Sequence, residues 1–225
     1  MLPTTGLPYG TVPRLERPGP LRDRVYGALL ELITTRALQP GQHLVESELA
    51  GHLGVSRQPV REALQRLNTE GWVDLRPAQG AFVHEPTDEE ADQLLTVRTL
   101  LEAEAARLAA ANAGSAGIAV LEELCAQGES AVAADDVDAA VALNARLHAT
   151  VMELAGNAVL AELAGQVHRR VRWYYTPIAR QRGQQSWIEH RELIAAIADR
   201  DEQRATAVMR QHTEQTRKMY HDREK

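Results

Sequence analysis

"GVSRQPVREALQRL" spans Gly54 to Leu67. Val60, Ala63, Leu64 and Leu67 recur at the three- and four-residue spacing of one helix face. Arg57, Gln58 and Arg61 project from the other side of the first turns. Gly54 supplies the left-handed stop of a preceding helix. Ser56 is a good N-cap, and Pro59 is tolerated because first-turn N–H groups have no helical partner. Two arginines and a glutamine at a helix start, with apolar residues behind them, suit a helix whose N-terminal end enters a DNA major groove. Arginine bonds guanine O6 and N7 bidentately and glutamine reads adenine. Ser56 and the helix-terminal N–H groups suit phosphates. The bland alternative is a solvated charged face, and the neighbouring elements weigh against it.

Upstream, Leu21 to about Arg36 places Val25, Leu29, Leu32 and Ile33 on one face. Pro40 and Gly41 in "LQPGQHL" break that helix. "ESELAGHLG" gives a second helix with Leu49, Ala50 and Leu53 inward. Downstream of Gly71, "WVDLR" and "AFVH" read as two short strands around the turn "PAQG". The pattern is helix, helix-turn-helix, β-hairpin. Gln79 and Gly80 at the hairpin tip can reach a neighbouring groove, because glycine lets backbone approach closely.

The chain has 225 residues and a formal net charge of -6. That length suits one or two domains, and the acidic balance argues against a general polyanion binder. DNA contact must therefore come from a local cluster such as the arginine face. With a single phenylalanine, Phe82, the core falls to Ala, Leu and Val, which favours helices. Cys125 is the only cysteine, so no intrachain disulfide forms, and a reducing, cytoplasmic setting is expected. No apolar run approaches the roughly 20 residues of a membrane span, and the first 20 residues, rich in Pro and Gly, read as a flexible arm rather than a signal peptide.

"LQPGQHLVESELAGHLGVSRQPVREALQRLNTEGWVDLRPAQGAFV" resembles the winged helix-turn-helix of the GntR family of bacterial transcription regulators, over the segment from Leu21 to His84. The resemblance implies that Ser56, Arg57, Gln58 and Arg61 contact operator DNA, with Ser47 and the wing residue Gly80 nearby. It also implies a homodimer on a short inverted repeat of double-stranded DNA, since two-fold proteins read two-fold sites.

After Pro86 the pattern changes. Thr87 with Glu90 forms a capping box, and Ala91, Leu94, Leu95, Leu101, Ala105 and Leu108 follow at helical spacing. Further helices are expected at about Ser115–Ala133, Asp136–Ala155, Ala158–Tyr175, Ser186–Asp199 and Asp201–His221, with Ser186 and Glu189 as another capping box. No strand-like alternation appears, so this half reads as an all-α bundle. The fold class is mainly α, with the arm at 1–20, the DNA-reading unit at 21–85, and an all-α effector-binding and dimerisation domain at 86–225.

Between Asp136 and Ala155, Asn144 and His148 lie one turn apart on the apolar face. His190 shares a face with Ile194 and Ile197, and His212 with Val208, Met209, Thr216 and Met219. A lone inward histidine is usually a satisfied core residue. Three on three helices, one with an oxygen donor four residues earlier, leave packing and a metal site both open. His43, His52, His84, His168 and His221 show no such grouping. Arg98 sits on the inward stripe of its helix, and a buried arginine needs an anion. That anion is either an internal acid such as Glu102 or the carboxylate of a ligand. Trp173, Tyr174 and Tyr175 line a pocket or, more commonly, a core.

"VRTLLEAEAARLAA", "LNARLHATVMELAGNAVLAEL" and "EHRELIAAIADRDEQRATAVMRQH" resemble the effector domain of the FadR-type branch, the FCD domain. The resemblance implies a divalent metal, zinc or nickel, held at Asn144, His148, His190 and His212, where Asn144 replaces the usual Asp. It implies Arg98 as a clamp on a small carboxylate effector, and a ligand-responsive repressor as the function. The alternative is a dimeric DNA-binding regulator with neither metal nor effector, its histidines serving packing. An enzyme using the histidines for hydrolysis is disfavoured, because no carboxylate is obviously paired with them as general base.

Overall fold

The computed structural model describes residues 20–222, so the arm expected over residues 1–20 lies, apart from Pro20, outside the described residues. The described chain is mainly α-helical, with one small sheet near its start. Helix α1 (Leu21–Thr34), α2 (Glu46–Leu53) and α3 (Arg57–Thr69) pack Val25, Leu29, Ile33, Ala50, Val60, Leu64 and Leu67 into one core. These are the apolar stripes of the sequence, and each fully buried Leu or Ile contributes about 1.5–3 kcal/mol. Helix α2 stops at Gly54 in the left-handed region, φ 64. Ser56 takes the N-cap position of α3 with extended backbone, but its side chain makes no capping hydrogen bond.

The expected hairpin is two strands of a three-stranded sheet. Strand β1 (His43–Leu44) pairs antiparallel with β3 (Gly80–Val83), which pairs on its other side with β2 (Val73–Arg76). His43 stands opposite Phe82 and stacks on its ring at 4.7 Å, while the Arg76 guanidinium lies 4.2 Å over the same ring. Gly80 is required there. Its φ is 101, and a Cβ would sit 2.9 Å from His43 Nε2.

The remainder is a helical bundle of α4 (Asp88–Asn112), α5 (Ser115–Ala133), α6 (Val137–Leu154), α7 (Ala158–Tyr175), α8 (Ala179–Ala198) and α9 (Glu202–Asp222). Helix α4 opens on the Thr87–Glu90 capping box. It runs against α9 and also touches α6, α7 and α8. Ala105, Ala106, Ala109 and Ala110 on α4 are fully buried, small enough for neighbouring helices to close on it.

One expected boundary is wrong. Ser186 and Glu189 do not cap a helix start: both are buried inside α8, which begins at Ala179 and breaks at Gly183 (φ 34, ψ -129). The chain turn is carried by glycine, which adopts that conformation at low cost, and Glu189 bonds elsewhere.

Helix α7 belongs to three cores, with Leu160 and Ala164 in the main bundle core. Trp173 is buried among the residues of the N-terminal unit, its ring 5.5 Å from that of Trp72. Tyr174 and Tyr175 join a separate bundle core with Leu95 and Ile178. Arg36 Nε donates to the Trp173 carbonyl at 3.3 Å, and Arg172 forks onto Glu31 of α1 with both contacts at 3.0 Å. Arg170 bonds the Glu70 carbonyl and lies over Trp72.

Candidate functional site

Two polar assemblies stand out, one open and one buried. The open one is a groove of about 470 Å³ between the start of α2, the outer face of α3 and the β2–β3 wing. Arg57, Arg61, Ser47, Arg76 and Gly80 line it. All seven sequence candidates in this unit, Ser47, Ser56, Arg57, Gln58, Arg61, Gln79 and Gly80, are exposed. The helical geometry places the arginines on the side away from Val60, Leu64 and Leu67, as the spacing requires.

None of Arg57, Gln58 and Arg61 on α3 hangs free. Arg61 forks onto Glu46, Nε to Oε1 at 2.9 Å and Nη2 to Oε2 at 2.8 Å. Arg57 Nη2 reaches the same Oε2 at 3.3 Å, and Gln58 donates to Glu62 at 2.8 Å. The Arg61 hydrogen bond holds the Glu46 carboxyl below its usual range. Sequence reading missed Glu46, whose signal is its place at the first turn of α2, facing α3 across the turn.

The buried assembly lies where α4, α6, α7, α8 and α9 meet. His148, His190 and His212 are all buried, and one ring nitrogen of each falls within 4.8 Å of the others. The structure therefore brings together the three histidines that the helical spacing singled out. His148 Nε2 and His190 Nε2 face each other at 3.3 Å. Asn144, one turn before His148, is also buried, and its Oδ1 has no hydrogen-bond partner. Trp187 lies edge-on to His190 at 4.9 Å, in a space left by Gly128, where a Cβ would collide with the indole.

Two carboxylates are part of the cluster, which corrects the expectation that none is paired with it. Glu102 Oε2 lies 2.9 Å from His148 Nδ1, and Glu189 Oε2 lies 2.8 Å from His212 Nδ1. His168 is a member too: its Nε2 is 3.0 Å from Glu102 Oε1. It was set aside in the sequence, although it lies on an inward stripe with Ala164, Val171 and Tyr175. Arg182 was missed as well. It is buried and forks onto Glu189, with one contact at 3.2 Å, and approaches His212 Nδ1 at 3.1 Å. Arg182 lies before the break at Gly183, so helical spacing back from Ser186, Glu189 and Leu193 does not reach it.

Of the two anions open for Arg98, the structure supplies the internal one. Arg98 Nε donates to Glu102 Oε1 at 2.9 Å, with both side chains 1% exposed. Its Nη2 approaches His148 Nε2 at 3.4 Å, and its Nη1 is buried without a partner. Arg98, Asn144, His148, His168, Arg172 and Tyr175 enclose a void of about 20 Å³, the size of one water.

The electrostatics close on themselves. Burial raises the Glu102 carboxyl, but the Arg98 charge and the contacts with His148 and His168 outweigh it and leave it well below the usual range. Burial lowers His148, and burial with the neighbouring cationic groups drives His190 and His212 further down. The imidazoles are neutral at pH 7, and the two arginines balance the two glutamates. The histidines thus sit in a hydrogen-bond and ion-pair network consistent with packing.

The same residues are also capable of coordinating a metal. A carboxylate behind Nδ1 holds the proton there and leaves Nε2 as a lone pair, the arrangement found behind metal-bound histidines. His212 Nε2 has no partner. Two nitrogens on one tetrahedral zinc are separated by about 3.3 Å, as are those of His148 and His190.

Residues 21–83 match the family described as bacterial regulatory proteins, gntR family, and residues 93–215 match the FCD domain. The chain is 32% identical over 176 residues to the Nta operon transcriptional regulator of Aminobacter aminovorans, covering 77% of this chain and 82% of that one. The solved structure of Escherichia coli McbR/YncC superposes with a TM-score of 0.80 at 24% identity, covering 90% of this chain and 98% of the other. A GntR regulator from Rhodococcus sp. RHA1 gives 0.77 at 22% identity, covering 91% and 99%. At those identities the two structures speak for the fold. Among the described residues, no helix is long and apolar enough to cross a membrane.

Proposed function

The chain belongs to the GntR family of bacterial regulatory proteins, with an FCD domain after its helix-turn-helix, and from that membership we propose that Arg57, Gln58 and Arg61 read an operator, with Ser47, Ser56, Gln79 and Gly80 on the flanking backbone. Such a regulator is a non-catalytic DNA-binding protein. The observation that carries the proposal is the exposed arginine groove between α3 and the wing. A homodimer on a short inverted repeat follows from two-fold geometry, and the 86–225 region is its proposed dimerisation and effector unit.

For the bundle, the closed network of Arg98, Glu102, Arg182, Glu189 and three neutral imidazoles supports a packing role. A finer reading is favoured by one observation: His212 Nε2 and Asn144 Oδ1 are buried without partners beside His148 and His190. In that reading His148, His190 and His212, with the amide oxygen of Asn144, hold zinc or nickel. A divalent ion there supplies an electrophilic anchor for one carboxylate of a small organic acid. Arg98, with its unpaired Nη1, binds another oxygen of that acid. Since Asn144 brings no charge, the ion is held more weakly than by a carboxylate.

Helix α7 supports a route from this site to the DNA-reading unit. Arg172 borders the void and forks onto Glu31 of α1, and the next residue, Trp173, is part of the other core. A ligand changes DNA affinity only if it binds the two arrangements differently.

Elemental analysis after dialysis against zinc or nickel salts decides between the readings. One ion per chain, lost in His148→Ala and His212→Ala, supports the finer reading. It also predicts a rise in unfolding stability of about 2.7 kcal/mol at a hundredfold excess of metal over its dissociation constant. No ion in the wild type leaves packing.

A further inference from the structure

On the proposed reading of α3 and the wing as the DNA-facing surface, on which this inference rests, Glu46 lines the groove that phosphates would approach, although a carboxylate repels them. It is the first residue of α2, next to Ser47, and its carboxylate is shared by Arg61 and Arg57. Arg61 spends on it the Nε and Nη2 edge, one of the flat edges with which a guanidinium forks onto guanine. The groove also contains Leu64, Gln65 and the wing residues Arg76 and Gly80, so Glu46 faces the space a duplex would fill.

We infer that Glu46 is a specificity-determining residue of the DNA reader: it fixes the plane of the Arg61 guanidinium and sets a negative charge against indiscriminate phosphate binding. The geometry has two consequences. First, Arg61 meets a base edge in one orientation, through its remaining Nη1 and Nη2 hydrogens, instead of sweeping over several. Second, a trio of two guanidiniums and one carboxylate carries a net charge of +1 rather than +2. Phosphate attraction, which every sequence offers equally, is weakened, while a bidentate base contact depends on orientation and is retained. Arg57, which touches only one oxygen at 3.3 Å, is the looser of the two, and its orientation is less fixed.

The carboxylate survives in the groove because Arg61 holds it ionised and the start of α2 places helix N–H dipoles behind it. It is half-buried at 26% exposure, so replacing it leaves no cavity in the core.

The test uses the full-length protein, a duplex selected by it from a randomised pool, and a random-sequence duplex, each titrated over a range of salt. Glu46→Gln preserves shape and removes charge. The expected result is tighter binding of the random duplex, a salt dependence steeper by about one phosphate, and a fall of about tenfold in the ratio of selected to random affinity. Arg61→Lys keeps the charge and loses the fork. It is expected to lower the same ratio with an unchanged salt slope, whereas the steeper slope of Glu46→Gln is the result that a merely structural role for Glu46 would not produce. If the Glu46→Gln ratio stays within about twofold of wild type, or if Arg61→Lys keeps full discrimination, the inference is overturned. Far-ultraviolet circular dichroism confirms that both variants are folded before they are compared.

Discussion

At Arg61 and Glu46 an ion pair lies open to water, its side chains 49% and 26% exposed, whereas at Arg98 and Glu102 the same two residue types meet at 1% exposure each. Solvent screens the first pair and leaves it exchangeable, so it contributes little to stability and is available to a competing phosphate or base. The second is cut off from water, and neither partner can leave without stranding the other. One chemistry is therefore exchangeable on one side of the molecule, where recognition is proposed, and rigid on the other.

Removing one partner from each pair breaks this comparison most directly. Arg98→Ala leaves Glu102 as an uncompensated buried charge and is expected to cost about 3–5 kcal/mol of unfolding free energy. Urea unfolding at pH 7.5 measures it. The double replacement Arg98→Met with Glu102→Leu should recover much of that loss, because the stranded charge is gone. A cost for Arg98→Ala no larger than a surface substitution would mean that the pair carries no load.

Acid sharpens the same contrast. His148, His190 and His212 are held neutral by burial, with folded pKa values below the ordinary 6.5. Below about pH 6.5 the unfolded chain takes up protons that the folded one refuses, so stability falls with pH there, and these groups have no effect above it. Each contributes a slope of up to about 1.4 kcal/mol per pH unit. Glu102 adds a second loss at lower pH, since its folded value lies below the unfolded one near 4.3 and its stabilisation disappears as pH falls through the folded value. Unfolding of metal-free protein at pH 7.5, 6.5 and 5.5 should show the decline, and His212→Gln should flatten it. A flat profile across that range would mean that the histidines are hydrated.

The smallest effect on stability belongs to the open side. Arg57→Ala should change unfolding free energy by no more than about 0.5 kcal/mol, yet weaken binding to the selected duplex by about tenfold. Equal weakening on random duplex would assign Arg57 to phosphate contact alone.

The open side was also the more legible in the sequence. Arg57, Gln58 and Arg61 are local to one helix turn, so spacing alone placed them, and the helices α5 and α7 appear at the boundaries expected. Strand β1 escaped because two residues are too few for alternation to register. Inside the bundle the histidines were found, since apolar stripes identify inward positions. Their charged partners were not, because a glutamate or arginine on a helix reads as solvated unless its partner is near in sequence. Arg98 and Glu102, four residues apart, gave that signal. Glu189 and His212 are brought together only by the packing of α8 on α9. The apparent capping box at Ser186 shows the converse failure: the motif is short enough to occur within a helix, and Gly183 held the true break.

The placement of the tryptophans gives the molecule an optical consequence. Trp72 and Trp173 meet at the junction of the two units, and Trp187 lies against His190. All three are buried, and the sequence contains no fourth. Indole emission therefore divides into a junction pair and a cluster reporter. With Trp187 replaced by Phe, the remaining indole fluorescence follows the opening of the junction while the groove and the histidines are left without a label, so motion between the units is visible without an added dye.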